Sequence, residues 1–435
     1  MRKDTLGLIQ DTIDFMEENL KTEIEISELS QRAGYSEYHF CQLFQMATGL
    51  SVKRYLVCRR LKHGMYEISK GVKKQEVAFS YGFDTYAGFY RAFYREYGMS
   101  PTEYQKTYRP SFPYRVNLLQ EGKVMISKKI LEKLLAHWGM ENSPVSNVYY
   151  EGSNQVSENE FQVGEGYVLK VSGLPGGLKR HMEMAEALDK VGLQASVPVA
   201  TKAGKLLVQE GDVYAVLCKK VQGTKMNGRE IFATCDVKAA YRFGVLIGKL
   251  HQALAKLDAG LCEENRLQDT VQGWALPTAQ KKINLLQELV AEYKNRFCDV
   301  YEKLPKQIIH RNMNLSYVYV NGEEMVGVTD FELSEYSIRL FDVCYAATGI
   351  LSENFADNDE VMEKWLQIYQ SIVRGYDEVI GLTKEEKQVL PYVVFSIQLI
   401  CVAYFADKEE FAELAKVNEK MLARLMECRE KLIFE

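Results

Sequence analysis

Hydrophobic residues in the first quarter of the chain recur at helical spacing and form two copies of one pattern. Phenylalanines four residues apart lie on one face of a helix, and the same spacing returns at a constant offset of 49 residues. The repeated set is Phe40, Phe44, Gly49 and Tyr55, then Phe89, Phe93, Gly98 and Tyr104. Repetition at a fixed offset predicts two copies of one small helical unit.

Turn signals within each copy predict a helix-turn-helix. The first helices are predicted at 26–33, ending at Gly34, and at 75–81, ending at Gly82. Glycine adopts positive φ readily, so each position suits a tight turn. Residues of the capping type then begin the second helices: Ser36 in one copy, Asp84 and Thr85 in the other. The first 108 residues are therefore predicted to be α-helical, with helix-turn-helix geometry.

The pattern becomes mixed after this region. A stretch with two prolines predicts a linker at 109–127. The alternating sequence YVLKVSG predicts a strand that carries Lys170, and the helical pattern RHMEMAEALDKVG carries Glu183. The longest apolar run, 392–405, contains Gln398 and is too short for a membrane span, so we expect a buried core helix and no membrane partner.

Composition sets the broad class of the protein. With 435 residues, 47% hydrophobic and 26% charged, the chain is expected to fold into two or three globular domains. Nine cysteines are scattered without a C-x-x-C pair, which favours reduced thiols in the cytoplasm. The first residues carry acids where a signal peptide needs an apolar core.

Charge singles out one segment of the helical region. Between residues 53 and 74 the chain has eight Lys or Arg residues and a single acid, Glu67. A charge run is usually a solvated helix face, but this one connects the two repeated units. The segment is therefore a candidate for contacts with the phosphates of nucleic acid.

The first quarter of the chain resembles the AraC/XylS family of DNA-binding domains. The resemblance covers residues 8–106 and is carried by ISELSQRAGYSEYHFCQLFQMATGLSVKRYL and VAFSYGFDTYAGFYRAFYREYGMSPTEY. It implies two helix-turn-helix units, joined by a long helix at 51–69, whose recognition helices enter neighbouring major grooves of double-stranded DNA. The implied base-edge candidates are Ser36, Glu37, His39, Gln42, Asp84, Thr85, Tyr86, Tyr90 and Arg91. The implied phosphate candidates are Lys53, Arg54, Lys73 and Arg95. Packing roles remain an alternative for Tyr38, Tyr86 and Tyr94.

The rest of the chain, from residue 128, resembles the aminoglycoside phosphotransferase family. The resemblance lies in GSNQVSENEFQV, VLCKKVQGTKM, FGVLIGKLHQAL and HRNMNLSYVYV, followed by GVTDFELSEYSIRLFDVCYA. It implies an α+β bilobal kinase-like domain at 128–435. The five-stranded N-lobe would span about 128–220, the hinge 218–223, and the helical C-lobe about 221–435. The predicted fold class is thus multidomain: an all-α double helix-turn-helix domain at 1–108 and a kinase-like domain.

The resemblance assigns roles to individual residues of the second domain. Lys170 and Glu183 would hold nucleotide phosphates, with Glu183 facing Lys170 as its partner, and Asp330 would bind magnesium, which makes ATP and Mg²⁺ weak candidate cofactors. His310 would brace the catalytic loop, and Asp342 would orient its backbone. The proton-accepting aspartate is replaced by Asn312 and the second magnesium ligand by Tyr317, while Arg311 stands where the family usually has glycine. An amide is not a base near neutral pH, so no catalytic residue is assigned.

These substitutions favour one function among three. The first is a sequence-specific transcription regulator whose kinase-like domain is a non-catalytic sensor of an unidentified small-molecule effector. The second is an active small-molecule phosphotransferase fused to a DNA-binding domain. The third is a ligand-independent repressor whose kinase-like part only mediates contacts in a homodimer. Loss of both the base and a metal ligand favours the sensor.

Overall fold

A computed structural model describes the chain except for residues 1–2, 49, 98–99, 108–112, 114–125, 127, 151–154, 212, 283–286, 332, 407–411 and 435. It has two compact units, one formed by Met1–Lys179 with Pro198–Lys220 and the other by Arg180–Val197 with Val221–Glu435. One passage between the units, at Lys220 and Val221, falls within the predicted hinge. The predicted linker at 109–127 lies outside the described residues apart from Pro113 and Ile126, so the domain boundaries at 108 and 128 stay predictions.

The described residues of the N-terminal region form seven helices. They are α1 Lys3–Glu18, α2 Ile26–Arg32, α3 Glu37–Thr48, α4 Val52–Ser69, α5 Lys74–Ser80, α6 Tyr86–Tyr97 and α7 Pro101–Thr107. Helix α1 is amphipathic, and its apolar residues Ile9, Ile13 and Met16 are fully buried. The turns after α2 and α5 place Gly34 and Gly82 at φ +74° each, a left-handed conformation that favours glycine. The double helix-turn-helix prediction is confirmed.

The repeated phenylalanines form the core of this region. Phe40 and Phe44 of α3 and Phe89 and Phe93 of α6 are buried in one apolar cluster. Tyr55 of the connecting helix α4 packs edge-on against Phe44 at 5.4 Å. The two repeated glycines, Gly49 and Gly98, lie outside the described residues. The repeated residues are therefore the ones that pack in the core, and residues between them are available for the surface.

An antiparallel sheet forms the N-lobe. Helix α8, Lys128–Ala136, precedes the strands β1 Val145–Tyr150, β2 Gln155–Val163, β3 Tyr167–Ser172, β4 Val208–Glu210 and β5 Val213–Lys219, with helix α9, Pro175–Asp189, after β3. The strand order is β1-β2-β3-β5-β4, which confirms the predicted five-stranded sheet. Antiparallel pairing places Lys170 of β3 directly opposite Glu160 of β2.

The second unit is mainly helical. Its helices are α10 Gly228–Thr234, α11 Val237–Leu254, α12 Leu267–Thr270, α13 Leu276–Lys282, α14 Gln287–Tyr293, α15 Leu340–Asn354, α16 Asp359–Ile380, α17 Lys384–Phe405 and α18 Ala412–Glu427. The strands are β6 Thr224–Lys225, β7 Lys306–Ile309, β8 Val318–Asn321, β9 Glu324–Val328 and β10 Glu335–Ile338. Strand β7 pairs with β10, and β6, β8 and β9 form a three-stranded sheet. The turn between β7 and β8 contains the loop that carries the substituted catalytic positions.

Helices α11 and α16 pack with their backbones in close contact. A Cβ atom at Gly244 of α11 would overlap the carbonyl oxygen of Ile372, and one at Gly375 of α16 would overlap that of Tyr241. Glycine at both crossing points lets the two backbones touch. The contact aligns His251, near the end of α11, with Tyr376 of α16.

Helix α17 contains the apolar run noticed in the sequence. Within the described part of the chain it is the one helix long and apolar enough to cross a membrane, and 72% of its most apolar window is buried inside the protein. It begins with a reciprocal capping box in which Thr383 and Glu386 bond to each other's backbone. Such burial is the expected property of a core helix. All nine cysteines are described, and all are free thiols.

Candidate functional site

The first recognition helix, α3, presents a polar face. Ser36, Glu37, His39 and Gln42 are all exposed, as a base-reading role requires. The Ser36 hydroxyl accepts a hydrogen bond from the backbone N–H of His39 at 3.4 Å, so it also caps the helix. Gln42 donates to the hydroxyl of Tyr38 at 2.9 Å. Tyr38 is 76% exposed, which places it on the surface beside the candidates and away from the core.

The second recognition helix, α6, is more aromatic. Asp84, Thr85, Tyr90 and Arg91 are exposed, and the Thr85 hydroxyl caps the helix by accepting from the N–H of Gly88 at 3.0 Å. The candidates on this helix therefore reach solvent, with one exception.

Tyr86 is that exception, because it is half-buried and its ring stacks on Phe89 at 5.9 Å. The packing alternative considered for Tyr86 thus describes most of its ring. Tyr94, the other residue with a packing alternative on α6, is 52% exposed and stacks on Tyr90 at 6.4 Å. The exposed face of α6 is consequently a tyrosine stripe beside arginines.

The basic candidates differ in how freely they face solvent. Lys53, Lys73 and Arg95 are exposed. Arg54 is exposed too, but its guanidinium bonds to both carboxylate oxygens of Glu96, at 2.9 and 3.2 Å, which links α4 to α6. One guanidinium cannot bind a phosphate with the same N–H groups that it gives to a carboxylate. Both bonds to Glu96 come from Nη2, so Nε and Nη1 are not used by this carboxylate, while its charge offsets the charge that Arg54 would bring to a phosphate. Arg54 stays a predicted phosphate contact.

The loop after β7 is held by a buried carboxylate. Asp342 accepts hydrogen bonds from the backbone N–H groups of His310 at 2.7 Å and Arg311 at 2.8 Å. It also accepts one from His251 Nε2 at 2.9 Å, and the other nitrogen of that ring accepts from the hydroxyl of Tyr376 at 2.8 Å. Burial by itself would raise the pKa of Asp342, but the bonds from His251 and His310 outweigh burial and lower it.

This network fixes the backbone of the loop. His310 is fully buried and its Nε2 bonds to the carbonyl oxygen of Thr329 at 3.0 Å, next to Asp330. Both Arg311 and Asp330 have φ of +72°, a conformation that costs a non-glycine residue about 1–2 kcal/mol. The scaffold of the loop is therefore intact. His251 was contained in the sequence FGVLIGKLHQAL, but its partner could not be identified from the sequence.

Arg311 has contacts of its own where the family usually has glycine. Its guanidinium forms an ion pair with Glu335 at 3.0 Å and lies 3.9 Å from the ring centre of Phe341. An ion pair and a cation–π contact together offset part of the backbone strain. The loop thus holds a bulky cation at a position that suits a residue without a side chain.

The substituted positions bond to one another. The amide of Asn312 donates to the hydroxyl of Tyr317 at 3.3 Å and accepts from the hydroxyl of Tyr345 at 3.1 Å. The hydroxyl of Tyr317 in turn hydrogen-bonds to Asp330, and burial together with that carboxylate raises the pKa of Tyr317. We call this set of Asn312, Tyr317, Asp330 and Tyr345 the loop network. Tyr317 is therefore a neutral hydrogen-bond donor to Asp330, the residue predicted to bind metal.

The loop network does not fit a magnesium site of the kind that the resemblance implies. Mg²⁺ needs oxygen ligands in near-octahedral geometry, but a phenol stands where a second ligand is expected. Of the two positions where the resemblance implies a magnesium ligand, Asp330 has an oxygen ligand of the expected kind and Tyr317 does not.

In the first unit, the ammonium group of Lys170 forms an ion pair with Glu160, and both side chains are buried. The acidic partner in the structure is therefore Glu160, because the cross-strand register brings β2 opposite β3. Glu183, the partner predicted from the sequence, lies on α9 in the second unit and is exposed. The predicted contacts of Glu183 with Lys170 and with nucleotide stay predictions.

Comparison with known proteins agrees with both halves of this description. A family model described as a helix-turn-helix domain matches residues 29–107, and one described as the phosphotransferase enzyme family matches residues 153–382. The multiple antibiotic resistance protein MarA of Escherichia coli (strain K12) is 29% identical over 104 residues, which are 23% of this chain and 79% of MarA. The right origin-binding protein of the same strain is 27% identical over 105 residues, 24% of this chain and 36% of that protein. This chain therefore spans about a third of that relative's length.

A solved structure shares the fold of the larger part. The amicoumacin kinase hAmiN, in complex with AMP-PNP, Ca²⁺ and Ami, superposes with a TM-score of 0.51 at 13% identity, covering 70% of this chain and 92% of that one. At this identity the likeness shows the fold alone. The phosphotransferase family model matches more than half of the 435 residues of this chain. The chain therefore belongs to the phosphotransferase enzyme family, and it carries an AraC-type helix-turn-helix domain at its N-terminus.

Proposed function

We propose that the protein is a sequence-specific DNA-binding transcription regulator whose kinase-like domain is a non-catalytic sensor of a small molecule. The observation that carries the proposal is the loop network. The hydroxyl of Tyr317 bonds to Asn312 and to Asp330, so the positions that perform chemistry in a phosphotransferase satisfy one another here.

The chemistry of the loop network supports a non-catalytic role. Phosphoryl transfer needs a group that accepts the proton of the substrate hydroxyl, and positioned bases contribute about 10²- to 10⁴-fold to such rates. The oxygen of Asn312 is an amide oxygen that already accepts from Tyr345, and an amide is barely basic. The loop therefore lacks both the base and the second metal ligand while its backbone remains fixed.

The N-terminal helices support the DNA-binding half of the proposal. Two helix-turn-helix units expose polar and basic side chains on α3 and α6, and the relatives named above are similar over this region. Phosphate contacts would fix the register of the protein on the duplex, and base-edge contacts would read its sequence. Lys53 and Arg91 are the exposed residues that best separate these two roles.

A sensor must couple its ligand to DNA binding. A coupling of about 1–3 kcal/mol between effector and operator is sufficient for regulation, and it must be reciprocal. Operator DNA should therefore tighten effector binding by the same factor by which the effector tightens or weakens DNA binding. The effector acts by having different affinities for two states of the protein.

The catalytic question has a direct test. Purified full-length protein is incubated with radiolabelled ATP, magnesium and pooled aminoglycosides, choline and sugars. The Asn312→Asp, Tyr317→Asn double variant is run in parallel to probe latent chemistry. Asn227→Asp is the matched control, because Asn227 is exposed and its side-chain oxygen caps α10 by accepting from the N–H of Arg229 at 3.0 Å, a bond that an aspartate keeps. Turnover by the unmodified protein at about 1 s⁻¹ or faster would contradict the sensor proposal and favour an active phosphotransferase.

Nucleotide binding is tested separately from turnover. With Tyr317 bonded to Asp330, we expect any ATP affinity to be weak or independent of magnesium, and lowered by Lys170→Ala. Calorimetry of the full chain with ATP, with and without Mg²⁺, measures this. Tight and strictly magnesium-dependent binding would show that the loop network opens to form a metal site.

DNA binding is tested by selection from random duplexes at low salt, using the full chain. Recovery of one enriched sequence is expected, with protection of two groove segments about 34 Å apart on one face. If no duplex is enriched or bound, the regulatory half of the proposal fails whatever the kinase-like domain does.

A further inference from the structure

A cavity of about 400 Å³ lies inside the first unit, between the N-terminal helices and the N-lobe. One wall comes from α4 and α6, through Cys58, Lys62 and Glu96, and the opposite wall includes Leu131 of α8 and Phe161 of β2. Its volume is within the range of about 300–1,000 Å³ typical of small-molecule sites. The cavity is distinct from the loop network, which belongs to the second unit.

The lining combines an apolar floor with an acidic rim. Leu131 and Phe161 are buried, so they offer contact to a hydrocarbon body. Three glutamates, Glu96, Glu132 and Glu141, line the same space together with one lysine. A carboxylate excess beside an apolar surface attracts an organic cation and repels an anion.

Lys62, the lysine of the lining, does little to offset this acidity. Burial and the nearby charge of Arg59 lower the pKa of Lys62 to about 7. Even when Lys62 is fully charged, the three glutamates of the lining outnumber it. The three carboxylates set the sign of the potential in the cavity.

Glu96 connects the cavity to a residue predicted to contact DNA. Its carboxylate lines the cavity and holds the guanidinium of Arg54 at 2.9 and 3.2 Å. The thiol of Cys58 also hydrogen-bonds to Glu96. A second cation at Glu96 would compete with Arg54, because Arg54 already bonds to both oxygens of this one carboxylate.

We propose that this cavity binds a small organic amine, with its apolar body on Leu131 and Phe161 and its ammonium group among the glutamates, and that bound amine frees Arg54 from Glu96 for a DNA phosphate. The inference rests on the proposed regulatory function for its second half only. Amine binding is a property of the cavity alone, whereas the gain in DNA affinity requires that Arg54 face the duplex.

The first experiment measures binding without DNA. Calorimetry and thermal unfolding of the full chain are carried out with benzylamine, benzyl alcohol and benzoate, which share a body and differ in charge. Saturable binding and a rise in melting temperature are expected for benzylamine alone. The Glu132→Gln, Glu141→Gln double variant should weaken benzylamine binding about threefold to thirtyfold. Glu413→Gln, at an exposed glutamate of α18 in the second unit, is the matched control and should not change it.

A second variant fills the cavity without changing its charge, so it tests whether benzylamine binds inside the cavity. Ser146 of β1 lines the cavity and is exposed, so Ser146→Trp adds bulk with little disturbance of the core. It should abolish benzylamine binding while leaving the melting temperature of the ligand-free protein within a few degrees. Equal binding of the alcohol or benzoate, or unchanged benzylamine binding in Ser146→Trp, would overturn the cavity assignment.

The second experiment measures coupling by fluorescence anisotropy with a selected duplex. Benzylamine should tighten DNA binding, and Glu96→Gln should tighten it without amine and remove the response to amine. Arg54→Met should remove the response as well. An amine that binds in the calorimeter but leaves DNA affinity unchanged overturns the link through Glu96. A protein that binds no duplex under any condition contradicts the proposed function, and the calorimetric result alone then decides the cavity.

Discussion

Glu17→Gln is expected to loosen the DNA-binding helices by breaking a buried ion pair. Glu17 of α1 receives two hydrogen bonds from the guanidinium of Arg59 of α4, at 2.6 and 2.9 Å, and one from the hydroxyl of Tyr55 at 3.0 Å. The side chains of Glu17 and Arg59 are 3% and 1% exposed. Helix α4 connects the two helix-turn-helix units, so this pair ties the first helix to the element that sets their spacing.

The pKa of Glu17 gives the size of the effect. Burial alone would raise this pKa, but the bonds from His63 and Arg59 outweigh burial and lower it to about 2, against an ordinary value of 4.5. A difference of this size corresponds to about 3 kcal/mol of stability at neutral pH. Glu17→Gln also leaves Arg59 buried without a counter-charge, and breaking such pairs costs about 3–5 kcal/mol. A typical domain has only about 5–15 kcal/mol in total.

The pH dependence has a defined sign. A carboxyl whose pKa is lower in the folded state stabilises the protein at pH values above its unfolded pKa. The contribution of Glu17 should therefore be complete above about pH 4.5 and be lost as the pH falls towards 2. Glu17→Gln should lose this part of the acid sensitivity, because the amide does not titrate.

Amide hydrogen exchange of the full chain is the appropriate assay, since it reports the local opening of α1 and α4 without separating the domains. Peptides from both helices should exchange faster in Glu17→Gln by a factor that corresponds to about 3 kcal/mol or more. Asp11→Asn, an exposed acid on the same helix, is the control. If exchange in Glu17→Gln equals that of the control, the pair contributes nothing and the reasoning is wrong.

Four further substitutions have defined outcomes. Arg91→Ala should relax sequence preference at one base pair, whereas Lys53→Ala should weaken binding to all duplexes and reduce the slope of log affinity against log salt concentration by about one. Anisotropy titrations at several salt concentrations and with base-substituted duplexes distinguish the two variants. Identical behaviour of the two variants would contradict the assignment. Tyr317→Phe should lower the free energy of unfolding by about 1–3 kcal/mol, measured by denaturation, and no change would mean that the hydroxyl is not engaged. Lys170→Met should leave Glu160 buried without its cation and speed exchange of the β3 amides, while a null effect would show that the pair is dispensable.

Local pattern predicted most of the N-terminal fold. The repeated phenylalanines and the glycines before them fix which face of each helix turns inward, so Phe40, Phe44, Phe89 and Phe93 could be assigned to the core from spacing alone. The candidate base-edge residues came from the family resemblance, and most of them are exposed. Tyr86 was ambiguous because an aromatic residue at a helix start satisfies packing and recognition equally well in sequence.

Long-range pairing limited what could be predicted of the site. Glu183 was chosen as the partner of Lys170 by analogy, but the register of β2 against β3 brings Glu160 to the ammonium group. Likewise Arg54 was predicted to contact phosphate, and its bond to Glu96, 42 residues away, could not be identified from the sequence. Register and helix packing decide such pairs, and neither is encoded by spacing within one segment. Tyr345 was missed for the same reason, because its contact with Asn312 joins two separate elements.

Burial explains why folding alone retains the scaffold of the loop after β7, whatever chemistry the loop performs. His251, His310 and Asp342 are fully buried and bonded to backbone or to each other. Replacing any of them would strand a buried polar group at about 1–3 kcal/mol or more, so folding alone retains them. Asn312 and Tyr317 are only half-buried, and the amide and the phenol satisfy each other. Folding therefore places no demand for a carboxylate at residue 312, and only selection for phosphoryl transfer would keep one there.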